Sequence, residues 1–172
     1  DCEFCRRKAE PVVRGFNLNM SKAQEPRAEK YIEEIGDPTQ YDEIVFCGYG
    51  EPTVRWDVVK KVAEHVKSKS GRTRLNTNGH GNYVNKKDIT PELQGIIDIV
   101  SISLNSTDKQ EYAELMNVSP DLHDAMIDFA KKAKQHSRVV LSEVNIESVD
   151  TEAAQKFAEE LGVEFRLRNY FY

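Results

Sequence analysis

Five short segments, each rich in β-branched or aromatic residues and each parted from the next by a helix-length connection, limit what this chain can fold into. They run 44–50 (IVFCGYG), 73–79 (TRLNTNG), 99–106 (IVSISLNS), 139–146 (VVLSEVNI) and 164–170 (EFRLRNY). The stretches between them carry helical spacing. Tyr31, Ile32 and Ile35 recur in 27–35, which stops at Gly36, while Val58, Val59, Val62, Ala63 and Val66 form one stripe of 56–67. Thr90-Pro91 reads as a helix start, with a hydroxyl cap and a first-turn proline leading into Leu93, Ile96 and Ile97. Ser119-Pro120 opens another helix with Leu122, Ala125, Met126, Phe129 and Ala133; 151–161 brings Ala154, Phe157, Ala158 and Leu161 before Gly162. Strands joined in succession through helices run parallel with right-handed crossovers, so the expected class is α/β.

With 172 residues, a single domain spanning 1–172 is expected, since domains average roughly 150 residues. Hydrophobic residues make up 39% of the chain, enough to build a core. Lys and Arg number 24 against 29 Asp and Glu, a net charge of −5 with no basic block. A nucleic-acid partner is therefore not indicated. No apolar run approaches the roughly 18 residues of a membrane span, and no membrane partner is expected. Three cysteines, Cys2, Cys5 and Cys47, are too few for a secreted disulfide scaffold and point to a reducing, cytoplasmic setting with metal or redox use. The chain opens on Asp1-Cys2 without a Met, so residues upstream are expected.

Strand parity separates polar from apolar positions. Ser101, Ser103 and Asn105 alternate with Ile102 and Leu104, and Arg74, Asn76 and Asn78 lie opposite Leu75. Glu143 and Asn145 alternate with Val144 and Ile146, and Arg166 and Arg168 with Phe165 and Leu167. Parallel strands buried on both faces are near-continuous apolar runs. One face here is expected instead to line a wet cleft, as in a curved barrel or half-barrel holding a polar, charged ligand. An open two-layer sheet with one solvated face is the plainer alternative.

Chemistry in βα barrels gathers at the carboxyl ends of the strands. There stand Gly48-Tyr49-Gly50-Glu51-Pro52-Thr53, Asn76-Thr77-Asn78-Gly79 and Asn105-Ser106-Thr107-Asp108. Glycines let backbone approach a ligand and Pro52 fixes a turn, although ordinary strand-to-helix turns use the same residue types. Cys2-x-x-Cys5 lets two thiolates reach one metal or cluster, a spacing common to zinc, thiol-redox and iron–sulfur sites. His65, His80, His123 and His136 are scattered and read as surface or core residues, with His80 in a solvated loop. Cys47 reads as a buried, inert strand cysteine.

Taken together, these residues resemble the radical SAM superfamily. C-E-F-C over 2–5 is similar to the last two cysteines of that family's C-x-x-x-C-x-aromatic-C loop, with Phe4 at the aromatic position. The first cysteine and first strand would lie before residue 1. Gly48-Tyr49-Gly50-Glu51-Pro52 resembles the family's GGEP motif with Tyr49 inserted, and Thr77-Asn78-Gly79 and 101–105 sit where the family carries ribose and carboxylate contacts. F-C-G-Y-G-E-P with S-I-S-L-N-S is most similar to the TatD-linked subgroup.

The resemblance implies a partial (βα)6 TIM-like barrel whose first strand is absent from this chain. It implies a [4Fe-4S] cluster with Cys2 and Cys5 as metal ligands, and S-adenosyl-L-methionine bound beside it. Backbone carbonyls of Gly48, Tyr49 and Gly50 would hold the methionyl ammonium with help from Glu51, and backbone around Phe4 would meet the adenine. Asn78, Ser103 and Asn105 would bind ribose hydroxyls or the carboxylate, with Pro52 and Asn76 in the same cofactor-binding set. Arg166 or Arg168 would pair with the carboxylate or with substrate, or else with Glu143. The implied activity is formation of a 5′-deoxyadenosyl radical for hydrogen abstraction from a small-molecule or protein substrate, fed by a reducing donor such as flavodoxin or ferredoxin. Two thiolates cannot anchor three irons, so residues 1–172 alone are expected not to hold an intact cluster. A non-catalytic zinc- or metal-binding βα barrel and a metal-free enzyme for a phosphorylated ligand are the alternatives.

Overall fold

The structure, a computed structural model, describes residue 2 and residues 12–13, 16–17, 25–48, 50–146 and 150–169. β1 (Val12–Val13) and β2 (Phe16–Asn17) pair antiparallel in a short ribbon that the sequence pattern does not announce. After them come α1 (Ala28–Ile35), β3 (Ile44–Phe46), α2 (Trp56–Ser68), β4 (Thr73–Thr77) and α3 (Gly81–Asn85). The chain continues through β5 (Ile99–Ser103), α4 (Lys109–Met116), α5 (Asp121–Ala133), β6 (Arg138–Asn145), α6 (Thr151–Leu161) and β7 (Glu164–Asn169). β3 to β7 form one sheet, every neighbouring pair parallel and the strands in chain order. The class is α/β, as expected.

Chain order has a direct consequence for the two faces. A right-handed crossover from each strand to its immediate neighbour sends every connecting helix to the same side of the sheet. The register sorts the side chains accordingly. Phe46 pairs with Leu75, Leu75 with Val100 and Ile102 with Leu141, so these residues share one face. Leu75, Val100, Ile102 and Leu141 are wholly buried there, packed with Val59 and Ala63 of α2, Met126, Phe129 and Ala130 of α5, and Ala154 and Ala158 of α6. Burying each large apolar side chain contributes roughly 1.5–3 kcal/mol. Arg74, Asn76, Ser101, Ser103, Arg166 and Arg168 share the other face, and each keeps some exposure.

Glu143 lies on the opposite face from the expected one. It stands two residues beyond Leu141 on the helix-covered side, is completely buried, and accepts a 3.1 Å hydrogen bond from Thr151 Oγ1 at the start of α6. Ser142 and Val144 take the other face of β6 instead, paired with Arg166 and Arg168, and both are buried there. No ion pair joins Glu143 to either arginine, because the sheet separates them. Polarity alone misassigned this strand: a buried carboxyl beneath a helix start has the same alternation as a lumen-facing one.

Thr90-Pro91 also departs from expectation, opening a single 3-10 turn over Thr90–Leu93 rather than a helix. Gln94 follows with extended backbone and Gly95 has a φ of +77°, which ends the turn. Leu93 and Ile97 are nevertheless buried, so the apolar spacing reports the core and not a helix. The amphipathic stripes at α1, α2, α5 and α6 do form helices, and α6 ends on Gly162 in the left-handed region. α4 is a further helix. Asp108 caps it by accepting from Gln110 N at 2.9 Å and Glu111 N at 2.8 Å, and Tyr112, Ala113, Leu115 and Met116 are buried. Among the described residues no helix is long and apolar enough to cross a membrane.

Candidate functional site

The carboxyl ends of β3 and β4 are joined by a side chain that reaches between them. After β3, Gly48 and Gly50 have φ of +153° and +150°, conformations that L side chains rarely adopt, and among the described residues, chain neighbours aside, no atom lies within 4 Å of where a Cβ would stand. The backbone there is therefore bare and open. Tyr49 lies outside the described residues. Glu51 turns back toward the sheet: its Oε1 accepts from Thr53 N at 3.0 Å, Thr53 Oγ1 at 2.7 Å and Thr77 Oγ1 at 2.7 Å, while Oε2 accepts from Asn78 N at 2.8 Å. One carboxylate thus ties the tip of β3 to the tip of β4. Pro52 begins the 3-10 turn Pro52–Arg55 that leads into α2.

At the tip of β4, Thr77 Oγ1 also accepts from Gly79 N at 3.0 Å, and Asn78 Oδ1 accepts from His80 N at 2.9 Å. Gly79 has a φ of +80°, and a Cβ on it would meet Met126 Cγ at 2.6 Å. The turn thus needs glycine for both conformation and space. Asn76 is exposed on the uncovered face.

After β5, Asn105 is 2% exposed and holds a φ of +56°, a strained position for a non-glycine residue. Its Nδ2 lies 3.1 Å from Met116 Sδ, and its buried Oδ1 has no hydrogen-bond partner. Cys2 Sγ approaches the same Met116 sulfur at 3.6 Å. Residue 2 therefore comes to the strand tips, next to Asn105. Cys5 and Phe4 lie outside the described residues. On β7, Arg168 Nη2 donates to Ser103 Oγ at 3.4 Å while its buried Nε is unpartnered. Burial, with the like charge of Arg166, pushes this guanidinium below its ordinary pKa, and Cys2 acts in the other direction.

Buried polar atoms are nearly always satisfied, and one left bare costs about 1–3 kcal/mol. Asn105 Oδ1 asks for a hydroxyl or ammonium donor. Arg168 Nε asks for an anion. A ligand that carries both, lying against the open glycine backbone, would satisfy the set. Gly48, Gly50, Ser103, Asn105 and Arg168 belong to this constellation, whereas Glu51 is committed to the protein and Asn78 Oδ1 to its own turn.

Cys47 is exposed rather than buried, and partial desolvation of its thiol raises the pKa, which disfavours the thiolate that metal binding needs. His80 is likewise no solvated loop residue. It is 4% exposed and its Nε2 lies 2.9 Å from Tyr112 Oη. Burial holds its pKa down to about 4, so the ring is neutral near pH 7. Tyr112 in turn packs against His123 with ring centroids 5.0 Å apart, and His123 Nε2 lies 3.3 Å from Ser106 O. Tyr112 and Met116 support the site from α4, a helix with only a weak amphipathic pattern; the Asp108 cap ahead of it was the available signal. Among the described residues no three His, Cys, Asp or Glu side chains converge on a metal position.

Residues 1–161 match the family model described as the Radical SAM superfamily. An uncharacterized protein of Methanocaldococcus jannaschii, MJ0804, is 24% identical over 162 residues, which cover 94% of this chain and 49% of that protein. The chain thus spans about half the length of that curated relative. Among solved structures, Streptococcus suis SuiB bound to S-adenosylmethionine superposes with a TM-score of 0.72 at 17% identity, covering 99% of this chain and 36% of that one. TYW1 with a lysine-pyruvate adduct bound superposes with a TM-score of 0.66 at 15% identity, covering 100% of this chain and 61% of that one. At such identities these likenesses speak for a shared fold.

Proposed function

The chain belongs to the radical SAM superfamily, and from that premise we propose that it is an enzyme that binds S-adenosyl-L-methionine beside a [4Fe-4S] cluster at the tips of β3, β4, β5 and β7. The observation that carries this reading is the pair of orphaned, buried polar groups, Asn105 Oδ1 and Arg168 Nε, set close to Cys2. SuiB, whose structure contains S-adenosylmethionine, shares the fold and lends support.

The residues suit that ligand. Gly48 and Gly50 present bare backbone for its ammonium, Arg168 donates to its carboxylate, and Asn105 with Ser103 accepts from ribose hydroxyls. Cys2 and Cys5 would supply thiolates to the cluster. When bound and reduced, the cluster and S-adenosyl-L-methionine together supply a 5′-deoxyadenosyl radical that abstracts hydrogen from substrate. The protein's part is orientation and the exclusion of water. Glu51 ties the glycine turn to the tip of β4, and His80 ties that tip to Tyr112 of α4. The proposal includes action as one domain over 1–172, a cytoplasmic setting and a reducing protein donor such as flavodoxin or ferredoxin.

Anaerobic purification of the intact protein tests the reading. A brown protein with about four irons that releases 5′-deoxyadenosine and methionine under dithionite is the expected result. Colourless, zinc-loaded protein with no cleavage would overturn it in favour of a metal-binding barrel.

A further inference from the structure

Among the described residues, four arginines share the face of the sheet opposite the helices, and two of them pair with an acid. Arg74 on β4 donates to Glu43 Oε2 at 2.9 Å, and Arg138 at the start of β6 is bound through Nε and Nη2 to both oxygens of Glu164 at 2.5 Å. Arg166 and Arg168 stand two residues apart on β7, opposite Ser142 and Val144 of β6. Neither has an acid within ion-pair distance among the described residues, and Arg166 is exposed.

The cations are close enough to act on one another. Arg166 depresses the pKa of both Arg74 and Arg168, after the larger effect of burial in each case. Such a cluster of like charges on one face of the sheet makes a local positive potential, which raises the concentration of anions there. Guanidinium forks match carboxylate and phosphate geometry. The cofactor reading gives one anion, the S-adenosyl-L-methionine carboxylate, to Arg168. Arg166 is left over.

We propose that Arg166 is a specificity-determining residue that holds a carboxylate or phosphate group of the substrate on the uncovered face of the sheet. The proposal rests on the cofactor reading above for its division of labour between the two arginines. Arg166 lies roughly 6.6 Å nearer the amino ends of the strands than Arg168, two residues at about 3.3 Å each. The substrate's anion would therefore be held further from the strand tips than the group bound by Arg168. Arg166 is exposed, and its row across the sheet runs through buried Ser142, whose Oγ donates to Ile102 O at 3.3 Å, to the partly exposed Ser103.

Calorimetric titration of the intact protein with inorganic phosphate, with succinate and with S-adenosylhomocysteine tests this. Binding of phosphate or succinate, weakened at least tenfold in Arg166→Gln and less in Arg166→Lys, is expected, and the stronger of the two probes identifies the class of anion. Arg138→Gln, which removes a paired guanidinium, should leave that affinity unchanged. S-adenosylhomocysteine should bind Arg166→Gln within about twofold of the unaltered protein and Arg168→Gln at least tenfold more weakly. If neither anion binds, or if Arg166→Gln binds as tightly as the unaltered protein, the proposal is wrong. Should the anion depend on Arg166 while S-adenosylhomocysteine binds to nothing, the anion site stands and the cofactor reading falls.

Discussion

His80 would take up a proton in water as pH falls below about 6.5, whereas inside this protein it does so only near 4, and that difference sets a pH dependence. Its pKa falls from 6.5 to about 4 because burial disfavours the imidazolium. The unfolded chain takes up this proton at higher pH than the folded one. Stability is therefore complete above about pH 6.5 and lost as pH falls toward 4, by on the order of 3 kcal/mol. Urea unfolding across this range should show the slope, and His80→Asn should flatten it; equal slopes in both proteins would contradict the assignment. Glu143 works in the opposite sense. Burial, and then Asp150 and Glu111, raise its pKa above 4.5. Its contribution is present below the unfolded value and declines as pH rises through the folded one. Glu143→Gln imitates the protonated acid, so it should unfold at a higher urea concentration than the unaltered protein at pH 8 and gain less at pH 4. No gain at pH 8 would mean that the carboxylate is solvated.

At the level of elements, the tips of β3 and β4 act as one unit because Glu51 accepts four hydrogen bonds from three residues. Glu51→Gln places an amide donor where one of the acceptor oxygens was, facing either Asn78 N or the threonine hydroxyls. A cost of about 1–3 kcal/mol follows. Thr77→Val removes one of the same bonds, so the two substitutions should be less than additive, with a coupling of at least about 0.5 kcal/mol in a double-mutant cycle. Strict additivity would show that the clamp does not exist. The GGEP-like pattern was readable in the sequence, yet it suggested a ligand contact for Glu51. The positions of Thr53, Thr77 and Asn78 add a structural role, in which the same acid braces the two strand tips.

For the molecule as a whole, strand order divides the sheet into a load-carrying face and an available one. Adjacent residues on β5 test this directly. Ile102→Ala, on the helix-covered side at 0% exposure, should cost about 2–5 kcal/mol. Ser101→Ala, one residue earlier and facing the other way, should stay within about 0.5 kcal/mol. Comparable losses would mean that both faces are packed. The freedom of the uncovered face lets it carry arginines without unfolding the protein, which is what a ligand site there requires.

The local alphabet of this chain determined the parallel sheet, four of its helices and the glycine turns, since hydrophobic period and turn chemistry act over a few residues. It also brought Asn105, Ser103 and Arg168 into view as candidates. Which face Glu143 would take, whether Thr90-Pro91 would extend beyond one turn, and that Cys2 and Asn105 would meet at Met116 were decided by tertiary packing. Those outcomes depend on contacts between residues tens of positions apart, and no local pattern encodes them: alternation fixes two faces, but only the packed helices choose which one stays wet.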